Sequence, residues 1–526
     1  MAATETLQSS PSSSGDRQGH PWLTLAAVSL GVMMVGLDGT VVSVANPTIA
    51  RHLHASLAGL QWVTNGYLLA LAVTLILGGK LGDRFGRKAV FITGIVGFAL
   101  FSLGCALSGS IEVLIGFRVA QGLAGAMLMP NTLALLRATF APEKLNEAVG
   151  IWGGSSALAV ASGPIIGGLL VEHVSWESIF LLNLPLGLLA AVFAFTFVRE
   201  SRDEEHVDGF DSPGVLLLTG GLFLVIWALI KAQAHGWGSL YVLGFGIAGL
   251  VVLGVFVLRE WRTRAPLLPL DLFRSRGLSA GTVLVVAGFF ALFGVLFFVG
   301  LYLQNVHGYS PVQTGVRLLP LTGVFVVSAP IGGLLTQRFG ARIPLCLGML
   351  MFAGAFLGLT HLQVHSAYSA QWPYFLILGV ALGLVIVAST EAIVGNAPVA
   401  RGGIAGGLQS TANQLGGVLG TAILGSIIVS SVGSSLAGNL AANRVPAAVA
   451  AQVQAAKELV GQGLAPVSRG MSAQLSARVT DAAHASFMGG LHLGMWVGLG
   501  VALFGAALAL LVRGGVHGQA GLAPAV

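Results

Sequence analysis

Gly78 to Lys88 reads GGKLGDRFGRK, and Gly332 to Arg342 reads GGLLTQRFGAR. The two stretches lie 254 residues apart and share both leading glycines, Leu81 with Leu335, Arg84 with Arg338, Phe85 with Phe339 and Gly86 with Gly340. Each falls between two long apolar runs, and each follows the second run of a block of six. Two Gly-rich loops can look alike by chance, but the equivalent location argues for two related halves. Parallel halves around an axis normal to the membrane describe a carrier in which one half rocks against the other.

Outward from these loops, fourteen apolar segments run at approximately 22–49, 59–79, 89–108, 112–135, 148–171, 179–198, 213–232, 240–258, 278–303, 313–334, 343–362, 372–393, 404–432 and 485–512. A helix needs about 20 apolar residues to cross a bilayer. The runs are continuous, so the alternating strands of a transmembrane barrel are excluded. Of 526 residues, 55% are hydrophobic and 9% charged, against roughly 25% charged in a soluble domain, so a water-soluble fold is excluded as well. Glycine, with 75 residues, suits close helix packing in lipid. Cys105 and Cys346 both sit inside apolar runs and read as small core residues.

These segments predict an all-α membrane protein of 6+2+6 spans. A first half covers 21–198, two inserted helices with their flanking loops cover 199–277, and a second half covers 278–512. The second half contains a long Ala-, Gly- and Ser-rich loop over 433–484. Residues 1–20 and 513–526 read as tails. The first of these lacks the basic-then-apolar pattern of a cleaved leader and is expected to be disordered. With the N-terminus in the cytoplasm, 18 of the 26 Lys and Arg fall on cytoplasmic segments, 6 on outer ones, and Arg118 and Arg317 within spans. That bias predicts a multi-pass protein of the cytoplasmic membrane with both termini inside. It also accounts for the net charge of +6 without nucleic acid.

Further motifs narrow the reading: LDGTVVSVANP (Leu37–Pro47), QWVTNGYLLA (Gln61–Ala70), RVAQGLAGA (Arg118–Ala126), SGPIIGG (Ser162–Gly168) and IFLLNLPLG (Ile179–Gly187). With the Gly78–Lys88 loop they resemble the major facilitator superfamily, and within it the 14-helix drug:proton antiporters, across about 22–512. The resemblance implies proton-driven efflux of hydrophobic, drug-like or antibiotic compounds by alternating access. The alternative is a proton-coupled carrier of another small metabolite on the same fold. Uptake of sugars or organic anions would call for more cationic or polar groups than the two intramembrane arginines supply.

Asp38 is the only acid well inside a span of the first half. A carboxylate at that depth costs roughly 2.5–3.5 kcal/mol even on the lenient insertion scale. It therefore either titrates while facing a cavity or is a structural group held by hydroxyls such as that of Thr40. Beside it the chain departs from the family pattern at Ser43 and Asn46. Arg118 cannot give up its proton. It either modulates a nearby acid, as the resemblance implies, or bridges helices near the outer interface. Glu391 is either a snorkelling interface residue or a second titrating group.

The resemblance also implies a conformational latch made by Gly79, Asp83, Arg84, Gly86 and Arg87, with Asp83 touching a neighbouring helix end and an arginine tethering the halves. Simple positive-inside anchoring explains part of the same charge. Gln337 replaces the acid in the second half, which makes the latch one-sided. Gly163, Pro164, Gly167 and Gly168 match the span-5 motif that marks exporters in the family; packing alone is the plainer reading. Gly416 and Gly420 hold the equivalent place in span 13 without the proline. Asn65, Tyr67 and Gln304 are candidates to line a cavity. After Ser175 and Trp176 the chain carries Glu177 where relatives commonly have Arg.

No G-x-x-x-x-G-K-[ST] loop or H-E-x-x-H pair occurs, and no G-x-S-x-G elbow stands at a strand–helix turn, so neither ATP-driven work nor an enzyme is expected. The expected partners are a small hydrophobic cargo, protons and the bilayer. The expected state is a monomer, without metal or cofactor.

Overall fold

The computed structural model describes residues 20–202, 211–263, 266–397, 402–468 and 470–512. Residues 1–19 and 513–526 of the two tails expected from the sequence lie outside these residues. Among the described residues, thirteen helices are long and apolar enough to cross a bilayer. A fourteenth is the pair Leu57–Leu75 and Leu77–Phe85, bent by 50°.

The first half comprises α1 (Pro21–His52), α2 (Leu57–Phe85), α3 (Arg87–Ala106), α4 (Ile111–Thr139), α5 (Pro142–His173) and α6 (Ser178–Phe197). The insert is α7 (Ser212–His235) and α8 (Leu240–Arg262). The second half comprises α9 (Arg276–Leu301), α10 (Pro311–Phe339), α11 (Arg342–Leu359), α12 (Trp372–Val394), α13 (Gly402–Ala442) and α14 (Ala473–Ala509).

The packing repeats with an offset of eight helices. α1 lies on α5 as α9 lies on α13, α2 on α4 as α10 on α12, and α3 on α6 as α11 on α14. The halves meet along α5 with α10 and along α2 with α13, pairs that exchange under the repeat. Gly86 and Gly340, matched in the sequence repeat, both end a helix at positive φ (109° and 74°), a conformation that favours glycine. The α7–α8 hairpin breaks the symmetry, packing through α7 on α2 and α13. Its near ends are tied by Asp211, which caps α7 through the Gly214 N–H (2.9 Å) and pairs with Arg259 (2.7 Å).

Two bounds differ from the sequence expectation. α13 runs to Ala442 and α14 starts at Ala473, so the outer connection is 443–472 and not 433–484. Hydropathy marks where a helix is wet, whereas Ala-rich sequence keeps its helical hydrogen bonds beyond the lipid. The connection itself folds, with short helices at Ala447–Ala455 and Lys457–Val460.

With "inner" for the face of the α2–α3 loop and "outer" for the opposite face, the contact between halves is uneven. Gln61 Nε2 donates to Thr421 O (2.6 Å), Gln304 Nε2 to Val44 O (2.8 Å), and the Val312 N–H to Glu172 Oε2 (2.8 Å). All three lie in the outer part. The described bond nearest the inner face joins Thr411 Oγ1 to Ala72 O (3.2 Å). Helix α5 follows the same gradient. Gly163, Pro164, Gly167 and Gly168 are buried, but between Glu147 and Leu158 only Ala148 is. Among the described residues, the halves are bonded mainly on the outer side, and the inner part of α5 is uncovered.

Candidate functional site: a buried polar cluster in the first half

Asp38 sits midway along α1 and is almost fully buried. Nothing local satisfies it; its partners come from α4 and α6. Arg118 donates through one terminal nitrogen to Asp38 Oδ2, Gln121 Nε2 donates to Oδ1 (2.9 Å), and Asn183 Nδ2 donates to the same oxygen (3.1 Å). Arg118 is held in turn. Its Nε donates to Val63 O (3.1 Å), its terminal nitrogen to Gln121 Oε1 (2.7 Å), and its guanidinium lies 4.1 Å from the Tyr67 ring centre and 5.6 Å from that of Phe180.

Spacing explains how α4 supplies two of these groups. Arg118 and Gln121 are three residues apart, hence on one helix face. Asn183 is oriented by Ser102, whose hydroxyl accepts from its amide (3.0 Å) and donates to Phe180 O (2.8 Å). Five of the six helices in this half thus converge on one carboxylate. Desolvating two ions costs several kcal/mol each, repaid only when their hydrogen-bonding groups are satisfied. Here the carboxylate has three donors and the guanidinium three acceptors and two rings. Removing the negative charge would leave the arginine with no counter-ion and loosen α1 from α4 and α6.

The structure thus brings Asp38 and Arg118 together, and adds Gln121 and Asn183, which sequence reasoning left within quoted motifs without a role. The available signal was amide side chains inside apolar runs, one of them a turn from an arginine. Thr40 does not serve Asp38; its hydroxyl donates to the carbonyls of Gly36 and Leu37. Ser43 donates to Thr40 O (2.6 Å), and Asn46, fully buried, has no described partner on either amide atom.

Tyr67, Asn65 and Gln304 are all buried in this conformation. Tyr67 belongs to the cluster, its hydroxyl donating to Val35 O (3.3 Å). Asn65 accepts from Thr421 of the other half, and Gln304 bonds Val44. Glu391 is exposed, in the other half, one turn before the end of α12.

In the α2–α3 loop, Asp83 pairs with Arg87 one turn along its own chain (2.8 Å), and Arg84 is exposed over the Phe85 ring. Gly78, Gly79 and Gly82 face α4, whereas Gly86 faces the Glu200 carboxylate. A Cβ at Gly78 would lie 2.0 Å from Ala126 O, and one at Gly82 would strike the Asn131 amide. Glu200, which carries no signal in the sequence, caps α3 by accepting from the N–H groups of Lys88 (3.0 Å) and Ala89 (3.2 Å).

The α5 glycines serve two neighbours. A Cβ at Gly163 would lie 2.0 Å from Thr40 Oγ1, and one at Gly167 2.7 Å from Val41, both on α1. One at Gly168 would lie 2.6 Å from Pro311 O of α10, and one at Gly315 of α10 2.3 Å from Pro164 O. The close approach of α5 and α10 therefore depends on glycine from both sides. Gly416 and Gly420 pack on α9 at Val286 and Phe290 as Gly163 and Gly167 pack on α1.

The Major Facilitator Superfamily model matches residues 28–421. The chain belongs to that superfamily. It is a multi-pass membrane transporter and not an enzyme. Over 496 residues it is 48% identical to the tetracenomycin C resistance and export protein of Streptomyces glaucescens, covering 94% of this chain and 92% of the relative. It is 35% identical to the methyl viologen resistance protein SmvA of Salmonella typhimurium, covering 76% and 81%. Among solved structures, a bacterial homologue of the human lysosomal transporter Spinster superposes with a TM-score of 0.62 at 18% identity, covering 93% of this chain and 96% of that one. At that identity the likeness concerns the fold.

Proposed function

We propose that this transporter exports hydrophobic, antibiotic-like compounds across the cell membrane in exchange for protons, with Asp38 as the proton-binding group. The observation that carries the reading is the buried Asp38–Arg118 ion pair, whose remaining bonds are made by Gln121 of α4 and by groups on two other helices, α2 and α6. Protonation of Asp38 discharges the pair, and the helices it joins become free to shift. One charge crossing 100 mV contributes about 2.3 kcal/mol, which supports roughly a 50-fold cargo gradient. The relatives named for antibiotic resistance support the direction and the cargo class. The test is uptake into inverted membrane vesicles, with tetracenomycin C as cargo and an imposed proton gradient. Accumulation that collapses with a protonophore supports the reading; uptake indifferent to the gradient opposes it.

The basic residues support a cytoplasmic inner face. A reporter fused near residue 270 is then expected to be cytoplasmic and one near residue 455 extracytoplasmic. The reverse pattern would invert the orientation. On this reading the conformation is cytoplasm-facing, with the latch released: Asp83 rests on Arg87, free to engage a neighbouring helix when the inner side closes. Asp83→Asn is expected to insert normally and to lose most transport at matched expression. Wild-type rates in that variant would reduce the loop to a topology signal.

A further inference from the structure

The outer connection between α13 and α14 does not lie loosely on the surface. Its segment Val460 to Gly463 is buried between the two halves. Val460 joins the core, and Gly461 has no room for a side chain, since a Cβ there would lie 2.9 Å from Val429. Gly463 turns the chain at φ 80°. Gln462 is 1% exposed and bonded on both sides. Its Nε2 donates to Ala55 O in the α1–α2 loop of the first half (3.2 Å), and its main-chain carbonyl accepts from Asn305 Nδ2 of the second half (2.8 Å).

Asn305 stands in a π-helical turn, Tyr302–Val306, that ends α9. Such turns re-aim side chains and recur at functional sites. Here the turn sends Gln304 to Val44 of the first half and Asn305 to the loop.

We propose that Val460–Gly463 is an outer plug, seated by Gln462, which holds the halves together in the cytoplasm-facing state and withdraws when the transporter opens outward. The proposal rests on the alternating-access reading above. Outward opening separates Ala55 from Asn305, so Gln462 cannot keep both bonds. The plug is a separable element: the other outer bonds, such as Gln61 to Thr421, run directly between helices. Weakening the plug therefore shifts the balance of states and leaves each half intact.

The test has two arms, both in a Cys105→Ala, Cys346→Ala background. In the first, spin labels at exposed His52→Cys and Ala367→Cys report the separation of the outer ends by double electron–electron resonance. Gln462→Ala is expected to raise the ratio of the long-distance to the short-distance population roughly fivefold, the worth of about one buried hydrogen bond. An unchanged distribution overturns the plug. In the second arm, Ala55→Cys and Gln462→Cys are joined by a short bis-methanethiosulfonate. Transport is expected to fall to background and to return with dithiothreitol. Undiminished transport by the cross-linked protein overturns the proposal. The distance arm needs neither cargo nor protons, so its result separates failure of the plug from failure of the exchange mechanism.

Discussion

Asp38→Asn is expected to abolish gradient-driven efflux while cargo binding survives. Asparagine keeps the size of the side chain and can still accept from Gln121 or Asn183, but it carries no charge in any state. The Arg118 guanidinium then has no counter-ion, the condition that protonation would create transiently. A proton-coupled cycle needs a group whose charge differs between states; a ligand that binds both states equally shifts neither. Efflux in Asp38→Asn vesicles should therefore match the protonophore control, and the Kd for cargo should change by less than about tenfold, or 1.4 kcal/mol. Asp38→Glu keeps the titration but displaces the carboxylate by one methylene, and partial activity is expected. If Asp38 were only a structural hydrogen-bonding group, Asn would replace it well and efflux would persist.

Arg118→Ala is expected to be as damaging to transport as Asp38→Asn, and more damaging to stability. The arginine supplies the ion pair, the bonds to Val63 and Gln121, and the cation over Tyr67. Removing one partner of a buried pair leaves a buried charge unpaired, at a cost of about 3–5 kcal/mol. The carboxyl would recover part of this by holding its proton, which is the state that cannot cycle. Transport should fall on the order of 100-fold or more. Arg118→Lys keeps the charge but cannot reproduce the fork, so intermediate activity is expected. The double variant gives the sharper check. Asp38→Asn/Arg118→Ala should unfold in detergent at a higher temperature than Arg118→Ala alone, because the unpaired charge has gone. Additive losses would mean that the two residues act apart.

The architecture was legible because lipid imposes a coarse rule: apolar length shows the spans, and the repeated loop shows the halves. The 6+2+6 order follows from where GGKLGDRFGRK and GGLLTQRFGAR fall. Asp38 and Arg118 stood out because charge inside a span is costly enough to notice in a single sequence. Their pairing did not, since positions 38 and 118 share no helix and only the fold brings α1 and α4 to the same point. Gln121 and Asn183 were hidden for a different reason. Amides are tolerated in spans at modest cost, so they carry little signal until their partners are known. Glu200 acts through backbone N–H groups that every residue has, and Gln462 through two carbonyl or amide partners in distant segments. Neither pattern leaves a trace in composition. The glycines of α5 were visible as a motif, but that Gly168 meets α10 while Gly163 meets α1 depends on the crossing of three helices.

The central claim is that cargo binding and proton release are linked through Asp38, by a coupling that stays within the roughly tenfold change in Kd expected of Asp38→Asn. Proton release upon cargo binding tests it most directly. Purified transporter in weakly buffered detergent solution, with a pH indicator, is titrated with tetracenomycin C. The account predicts that binding releases protons from the wild-type protein and that Asp38→Asn binds the same cargo with no release. Equal proton release from the two proteins, or binding by the wild type with no release at any pH at which it transports, would contradict it.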